Sequence, residues 1–166
     1  MTGCARVEAA ARGHRMFTVP SASMEPAIRP GQQVEARPIA NGDYRPRRGD
    51  IVIVDAFGSW EPSKTTGPHI SRVIGIGGDR VTNTGGSSPI TVNGTPLDEK
   101  TYIYPGDEPN GRDPFDVQVP AGRLWLMGDH RSISSDSREF GPVDRDLIYG
   151  KAVFVYWPME QVGVVH

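Results

Sequence analysis

Glycine and proline divide this chain into short pieces. Twenty glycines and fifteen prolines interrupt its 166 residues, and both residue types break regular elements and favour turns. Between them stand short apolar or alternating runs, the clearest at 51–57, 115–119 and 147–157. Runs of this kind, bounded by turn-forming residues, are typical of β-strands. The sequence therefore predicts a mainly β protein, and its length suits a domain with its own hydrophobic core.

The region between the predicted core strands has its own features. Asn93-Gly94 stands between two short β-like segments, which is the strongest local signal for a hairpin in this chain. Residues 98–114 are rich in Asp, Glu, Pro and Gly, and we expect an exposed excursion there. We predict a β core formed by residues 16–82 and 123–166, with residues 83–122 as an inserted β cap.

Charge and composition limit the function classes. The formal net charge is −2, so no basic field for nucleic acid is expected. None of the four histidines has metal-ligand spacing with another His or Cys. No apolar run approaches the ~18 residues of a membrane-spanning helix. Residues 1–15 are Ala- and Arg-rich and charged throughout, and we expect a helical or frayed leader there.

Ser21 and Ser23 form the most distinctive polar pair, in the segment Pro-Ser-Ala-Ser-Met-Glu-Pro that ends at Pro26. A serine is a poor nucleophile until a neighbour removes its proton and donors stabilise the oxyanion. Two residues apart on a strand, the two hydroxyls would face the same side. Ser21 and the Ser23 N–H would then be oxyanion donors. The alternative is a simple turn after a strand, because Ser and Pro favour turns.

Four segments, in order, resemble those of type I signal peptidases, serine endopeptidases that use a Ser–Lys dyad. The segment around Ser23 is similar to their nucleophile segment, and residues 48–54 resemble their Gly-Asp-Ile-Val strand. Residues 71–81 match their base-bearing segment, except that the family's Lys is Ser71. Residues 128–138 are similar to their Gly-Asp-Asn-Arg…Ser-x-Asp-Ser-Arg segment, with His130 in place of the usual Asn.

The resemblance implies a fold and a set of supporting residues. It implies a signal-peptidase/LexA-like β-barrel core of twisted antiparallel sheets with a small inserted cap, and no metal, nucleotide or other cofactor. Ser134 would orient the base, and Asp136 and Arg138 would pair as a buried support. Asp129 would hold its segment in place, and Arg72 matches the Arg that follows the family's Lys.

Ser71 removes the amine on which such a dyad depends. A lysine amine can become a base when burial lowers its pKa, whereas a serine hydroxyl has no useful basicity near neutral pH. His69 lies two residues earlier, on the same side of a strand, and its ordinary pKa suits general-base work. It is a possible substitute base, but it lies two residues away from the position where a related branch of the family carries a His. The alternative is an ordinary histidine at the surface or at a pocket rim.

The predicted function follows from the resemblance. We expect a signal peptidase I-like endopeptidase that removes signal peptides after small residues. Four apolar residues would line shallow pockets for those small side chains or simply pack in the core: Phe17, Val19, Ile28 and Ile70. The alternative function is a catalytically impaired peptide-binding pseudoenzyme, and a third possibility is that Ser71 is an artificial change in an active enzyme.

The resemblance also predicts a location and partners. It implies signal-peptide-bearing preproteins as substrates and a membrane surface as a partner, at the outer face of the bacterial cytoplasmic membrane. Such peptidases normally carry a membrane anchor before the nucleophile segment, and residues 1–15 would be the remnant of that region. A shortened chain, a misassigned start and a soluble paralogue remain open as explanations.

Overall fold

The computed structural model describes residues 13–39, 43–54, 68–109, 113–157 and 163–164. Within these residues almost all regular structure is β. The strands are β1 Arg15–Thr18, β2 Gln33–Pro38, β3 Ile51–Val54, β4 His69–Ile76, β5 Arg80–Asn83, β6 Thr91–Val92, β7 Thr95–Pro96, β8 Phe115–Gln118, β9 Arg123–Met127, β10 Val143–Asp144, β11 Ile148–Trp157 and β12 Gly163–Val164. One short helix, α1 Ser137–Phe140, and a 3₁₀ turn, Arg145–Leu147, complete the described elements.

The larger sheet is antiparallel throughout. Its order is β1-β2-β11-β3-β4-β9-β10, and β12 pairs with β11. The sheet curls into a half-barrel, and the predicted mainly β fold class is confirmed. The predicted leader, residues 1–15, lies mostly outside the described residues, although Arg15 begins β1. None of the segments that the structure describes forms a helix with the length and hydrophobicity of a membrane span.

The central strand β3 explains why the sheet has two apolar faces. All four of its residues are buried, as expected for a strand covered on both sides. Ile51 belongs to one hydrophobic cluster together with Met24 and Ile28, whereas Val52 and Val54 belong to another. The sheet therefore separates a core under the turn that carries Ser23 from a second core on the opposite face.

The smaller sheet has the order β7-β6-β5-β8. Its β6–β7 hairpin turns at Asn93 and Gly94, which both have positive φ angles, 53° and 79°. Asn and Gly are the residues that tolerate this two-residue turn best, and the predicted hairpin is confirmed. The sheet runs from Arg80 to Gln118, and the proposed cap boundaries at residues 83–122 remain a prediction.

The expected exposed excursion is wrong for its first half. Glu99 is only 5% exposed, and residues 102–104 are half-buried. The physical reason is pairing: the carboxylate of Glu99 binds the guanidinium of Arg131, and the Tyr104 N–H donates to the Asp129 carbonyl at 3.0 Å. Residues 98–109, here called the inserted segment, therefore pack against the polar segment that follows β9.

Candidate active site

Ser23 lies in a closed turn over residues 19–31, here called the Ser23 turn. The turn is closed by bonds from the Val19 N–H to the Gln32 carbonyl (2.9 Å) and from the Gly31 N–H to the Val19 carbonyl (2.8 Å). Met24 and Ile28 are fully buried beneath it. Burial of these two side chains holds the turn on the sheet and leaves Ser23 half-buried at its surface.

Ser21 and Ser23 do not lie on a strand, because β1 ends at Thr18. The prediction of an extended segment there is wrong, and the alternative of a turn after a strand describes the backbone correctly. Their hydroxyls nevertheless meet, with 3.1 Å between the two Oγ atoms. The two hydroxyls are therefore close together, as expected, but in a turn and not on a strand.

Gly128 connects the Ser23 turn to Ser134. A Cβ atom at Gly128 would lie 2.3 Å from the Ser134 Oγ and 2.6 Å from the Ser23 carbonyl oxygen. Only glycine permits so close an approach. A hydrogen bond also fixes the Ser23 carbonyl: the His130 N–H donates to its oxygen at 3.0 Å. Ser134 is 2% exposed, so this junction is almost closed to solvent.

Ser71 lies on β4, one residue before Arg72. Arg72 pairs with Met127 of β9, and the antiparallel partner of Ser71 is Val52 of β3. Directly opposed residues face the same side of a sheet. Ser71 therefore shares a face of the sheet with Val52. It is 4% exposed, and its place at the position of the family's base stays a prediction.

The lysines of the described residues are engaged or exposed. The Lys151 amine donates to the Asp50 carboxylate, and Lys100 is exposed on the inserted segment. Lys64 falls outside the described residues. His69 is the first residue of β4, is half-buried, and pairs with Val54. Its possible role as a substitute base stays a prediction.

Arg72 and Asp129 form a buried ion pair behind this junction. The guanidinium donates from Nε to Oδ1 at 2.8 Å and from Nη2 to Oδ2 at 2.7 Å. Their side chains are 3% and 0% exposed. Burial raises the pKa of the Asp129 carboxyl, and the positive charges of Arg72 and Arg131 oppose that rise. Two parallel charge-assisted bonds fix Arg72, and through it strand β4, to the segment after β9.

Asp136 and Arg138 form a second buried pair. The Arg138 guanidinium donates from Nε to Oδ1 (2.8 Å) and from Nη2 to Oδ2 (2.7 Å) of Asp136. Asp136 is also the N-cap of α1 and accepts the Gly128 N–H at 3.0 Å. Through this last bond, the pair fixes the backbone of Gly128. The backbone of Asp136 is extended, and α1 begins at the next residue.

Comparisons with known proteins assign the family. A family model described as "Signal peptidase, peptidase S26" matches residues 9–157. The "Signal peptidase I" of Leptolyngbya laminosa is 35% identical over 148 residues, covering 87% of this chain and 70% of that protein. The chain belongs to the signal peptidase family. The "Signal peptidase IB" of Staphylococcus aureus is 29% identical over 160 residues, with 87% and 78% covered.

A solved structure of this family shares the fold. The crystal structure of a signal peptidase I from Enterococcus faecalis aligns with a TM-score of 0.50 at 23% identity. The alignment covers 65% of this chain and 97% of that one. At this identity the likeness concerns the fold alone.

The inserted segment of this signal peptidase family member contributes residues that the sequence reasoning missed. Arg131 is fully buried; its guanidinium binds the Glu99 carboxylate and donates from Nε to the Gly128 carbonyl at 2.9 Å. The ring of Tyr102 lies 4.2 Å from the Arg72 guanidinium carbon. Burial raises the pKa of Tyr102, and the nearby Glu99 carboxylate raises it further. A buried arginine needs a carboxylate partner, so Arg131 itself was the available signal.

A second contact from the same segment reaches His130. The rings of Tyr104 and His130 are stacked, with 3.7 Å between centroids and 9° between planes. His130 Nδ1 is 3.9 Å from a carboxylate oxygen of Glu25. Neither aromatic was assigned a function from sequence, where His130 was recorded only as a departure from the family's Asn.

The four predicted pocket residues divide into two sets. Val19 and Ile28 are 3% and 0% exposed and belong to the core cluster beneath the Ser23 turn, and Ile70 packs against that cluster. Phe17 is half-buried on β1 and meets the ring of Tyr149 edge-on at 5.6 Å. Core packing therefore describes Val19 and Ile28, and contact of any of the four with substrate stays a prediction.

Proposed function

We propose that this chain is a signal peptidase I-type serine endopeptidase whose site retains every predicted part except the amine base. Ser23 would attack the scissile carbonyl, and the Ser23 N–H and the Ser21 hydroxyl would hold the oxyanion. The observation that carries the proposal is the convergence at Gly128. There the Ser23 carbonyl and the Ser134 hydroxyl approach so closely that no side chain fits.

The substrates would be preproteins that carry signal peptides, cleaved after small residues at the outer face of the bacterial cytoplasmic membrane. Family membership supports removal of signal peptides. The finer assignments, of the cleavage motif, the membrane surface and the side of the membrane, extend the family's activity to this chain. No step of the proposed attack or hydrolysis calls for a metal or a nucleotide.

A second function, binding of signal peptides without turnover, is favoured by Ser71. A positioned general base contributes ~10²–10⁴-fold to the rate of such reactions, and a serine hydroxyl does not supply it. Buried Arg72, the neighbour of Ser71, cannot replace the base, because a guanidinium stays protonated. If His69 does not act in its place, the chain would bind signal peptides and lose most of the hydrolysis.

The test is to measure cleavage and binding of one peptide on the same protein. A fluorogenic signal peptide is incubated in detergent with the chain and with Ser23→Ala, and its anisotropy is recorded before any cleavage. Cleavage that Ser23→Ala abolishes supports the endopeptidase, and His69→Ala then tests the substitute base. Binding by both proteins with cleavage by neither supports the peptide-binding function. Absence of both binding and cleavage contradicts both functions.

A further inference from the structure

The Ser23 turn is held from one side by contacts that do not belong to the serine pair itself. Its carbonyl at Ser23 accepts the N–H of His130 at 3.0 Å. The orientation of the Ser23 peptide group, and with it the aim of the nucleophile, therefore depends on the place of His130. What fixes His130 is accordingly a determinant of the site.

The ring of His130 is fixed by a residue from a different part of the chain. Tyr104 covers it face to face, 3.7 Å between centroids, and the Tyr104 N–H donates to the Asp129 carbonyl at 3.0 Å. Tyr104 thus contacts two consecutive residues: its ring stacks on His130 and its backbone N–H binds Asp129. The side chain of His130 is 14% exposed, so the stack replaces water over most of the imidazole.

Two further contacts anchor the inserted segment so that Tyr104 can act as a support. At one end, Glu99 binds the buried guanidinium of Arg131. At the other, the Asp107 carboxylate accepts the Ser132 N–H at 3.1 Å. The Tyr102 ring covers Arg72 between them. Anchoring on both sides of Tyr104 limits its movement, which is what a positioning residue requires.

We propose that Tyr104 is a positioning residue that, through the ring and backbone of His130, holds the Ser23 turn in its reactive geometry. The inference rests on the proposed function of Ser23 as nucleophile. Tyr104 touches neither serine in this scheme; it acts through the stack, and the His130 N–H delivers the effect to the Ser23 carbonyl. The inserted segment would therefore be a structural part of the reaction site.

The first measurement does not depend on catalysis. The His130 N–H exchanges with solvent only when its bond to the Ser23 carbonyl opens, so its hydrogen exchange, followed by NMR, reports the junction directly. We expect Tyr104→Ala to raise the exchange rate of this amide about tenfold or more, and Tyr104→Phe, which keeps the ring, to leave it near the parent value. Phe115→Ala is the matched control, since it removes an aromatic from the smaller sheet, where Phe115 packs on Trp125.

Exchange of amides in β11 separates opening of the junction from global unfolding. Faster exchange at His130 with unchanged β11 exchange is the expected result for Tyr104→Ala. If that variant does not fold, His130→Asn replaces it, because it removes the stack while keeping a backbone N–H at the same position. Exchange at residue 130 equal to the parent in either folded variant would overturn the proposal, whatever the chain's activity.

The second measurement concerns the reaction, in the Ser71→Lys background. We expect Tyr104→Ala to lower kcat about ten- to a hundred-fold with KM little changed, since a small misplacement of a reacting group costs this much. Tyr104→Phe should restore kcat. A rise in KM at unchanged kcat would make Tyr104 a substrate contact and overturn the positioning role. If the Ser71→Lys chain is inactive while its exchange behaves as expected, the proposed function fails, and only the hold of Tyr104 on the His130–Ser23 hydrogen bond is supported.

Discussion

Ser71 and Arg72 are neighbours on β4, yet the structure treats them very differently. Arg72 has a bidentate carboxylate, a backbone carbonyl of Gly49 and the ring of Tyr102 around its guanidinium. Ser71 is buried as well, but it offers only a short hydroxyl in place of the family's amine. Arg72 thus keeps the partners of a supporting residue, whereas Ser71 lacks the amine that the proposed reaction requires of a base. Support and chemistry are separable here within two consecutive positions.

The largest loss of folding stability is expected when Asp129, the partner of Arg72, is replaced. Asp129→Asn leaves the buried Arg72 guanidinium without its countercharge, and removal of one partner of a buried pair costs about 3–5 kcal/mol. For a chain of this size each kcal/mol lowers Tm by about 2–4 °C. Thermal unfolding followed by circular dichroism measures the loss.

Asp116→Asn is the matched control for that variant. Asp116 also pairs with an arginine, Arg80, but their side chains are 54% and 62% exposed, and exposed pairs contribute about 0–1 kcal/mol. Equal Tm shifts for the two variants would show that burial of the Arg72 pair has no special role.

Gly128→Ala tests the close contact of Gly128 with Ser134 and the Ser23 carbonyl. The added Cβ would meet Ser134 and the Ser23 carbonyl below 3.0 Å, and overpacking of this kind typically costs about 1–3 kcal/mol. Because the strain falls on the Ser23 turn, we also expect slower turnover in the Ser71→Lys background. Gly163→Ala, at a glycine with no atom within 4 Å of the added Cβ, should change neither quantity.

The smallest change in stability is expected at Asp79, in the turn that follows β4. Burial would raise the pKa of Asp79, but bonds from Arg48, from the Ile76 N–H and from Asn93 outweigh it and lower the pKa. A lowered carboxyl pKa stabilises the fold above the ordinary value near ~3.9 and loses that contribution as pH falls through the folded value.

Asp79→Asn tests this account of the β4–β5 turn. Urea unfolding at pH 7 should show a loss of about 1 kcal/mol or less, because Arg48 is 44% exposed and screened by solvent. The difference from the parent should begin to shrink below about pH 4, near the ordinary carboxyl pKa, and should be lost as pH falls through the lower folded value. A difference independent of pH would assign the effect to packing instead.

The sequence predicted the strands and the supporting segment because both leave local signals. Strand periodicity located the core strands, and an eleven-residue polar pattern located residues 128–138. It misjudged the backbone at Ser21 and Ser23, where a turn and a strand both bring hydroxyls together. The expected proximity of the two hydroxyls is present although the conformation is different.

The inserted segment was misread for a different reason. Its acidic, Pro- and Gly-rich composition is typical of exposed loops, and only long-range partners make it part of the site. Glu99 and Arg131 lie 32 positions apart, and nothing local pairs them. The stack of Tyr104 on His130 likewise depends on the fold to bring two unremarkable positions together.

The most direct test of this account is the rate at which Ser71→Lys cleaves a fluorogenic signal peptide, compared with the parent chain and with the Ser23→Ala, Ser71→Lys double variant. The account predicts a gain of about 10²–10⁴-fold for Ser71→Lys over the parent. It also predicts that kcat/KM increases with pH as the amine deprotonates, and that the double variant is inactive. A folded Ser71→Lys protein with no gain would contradict the claim that only the base is missing.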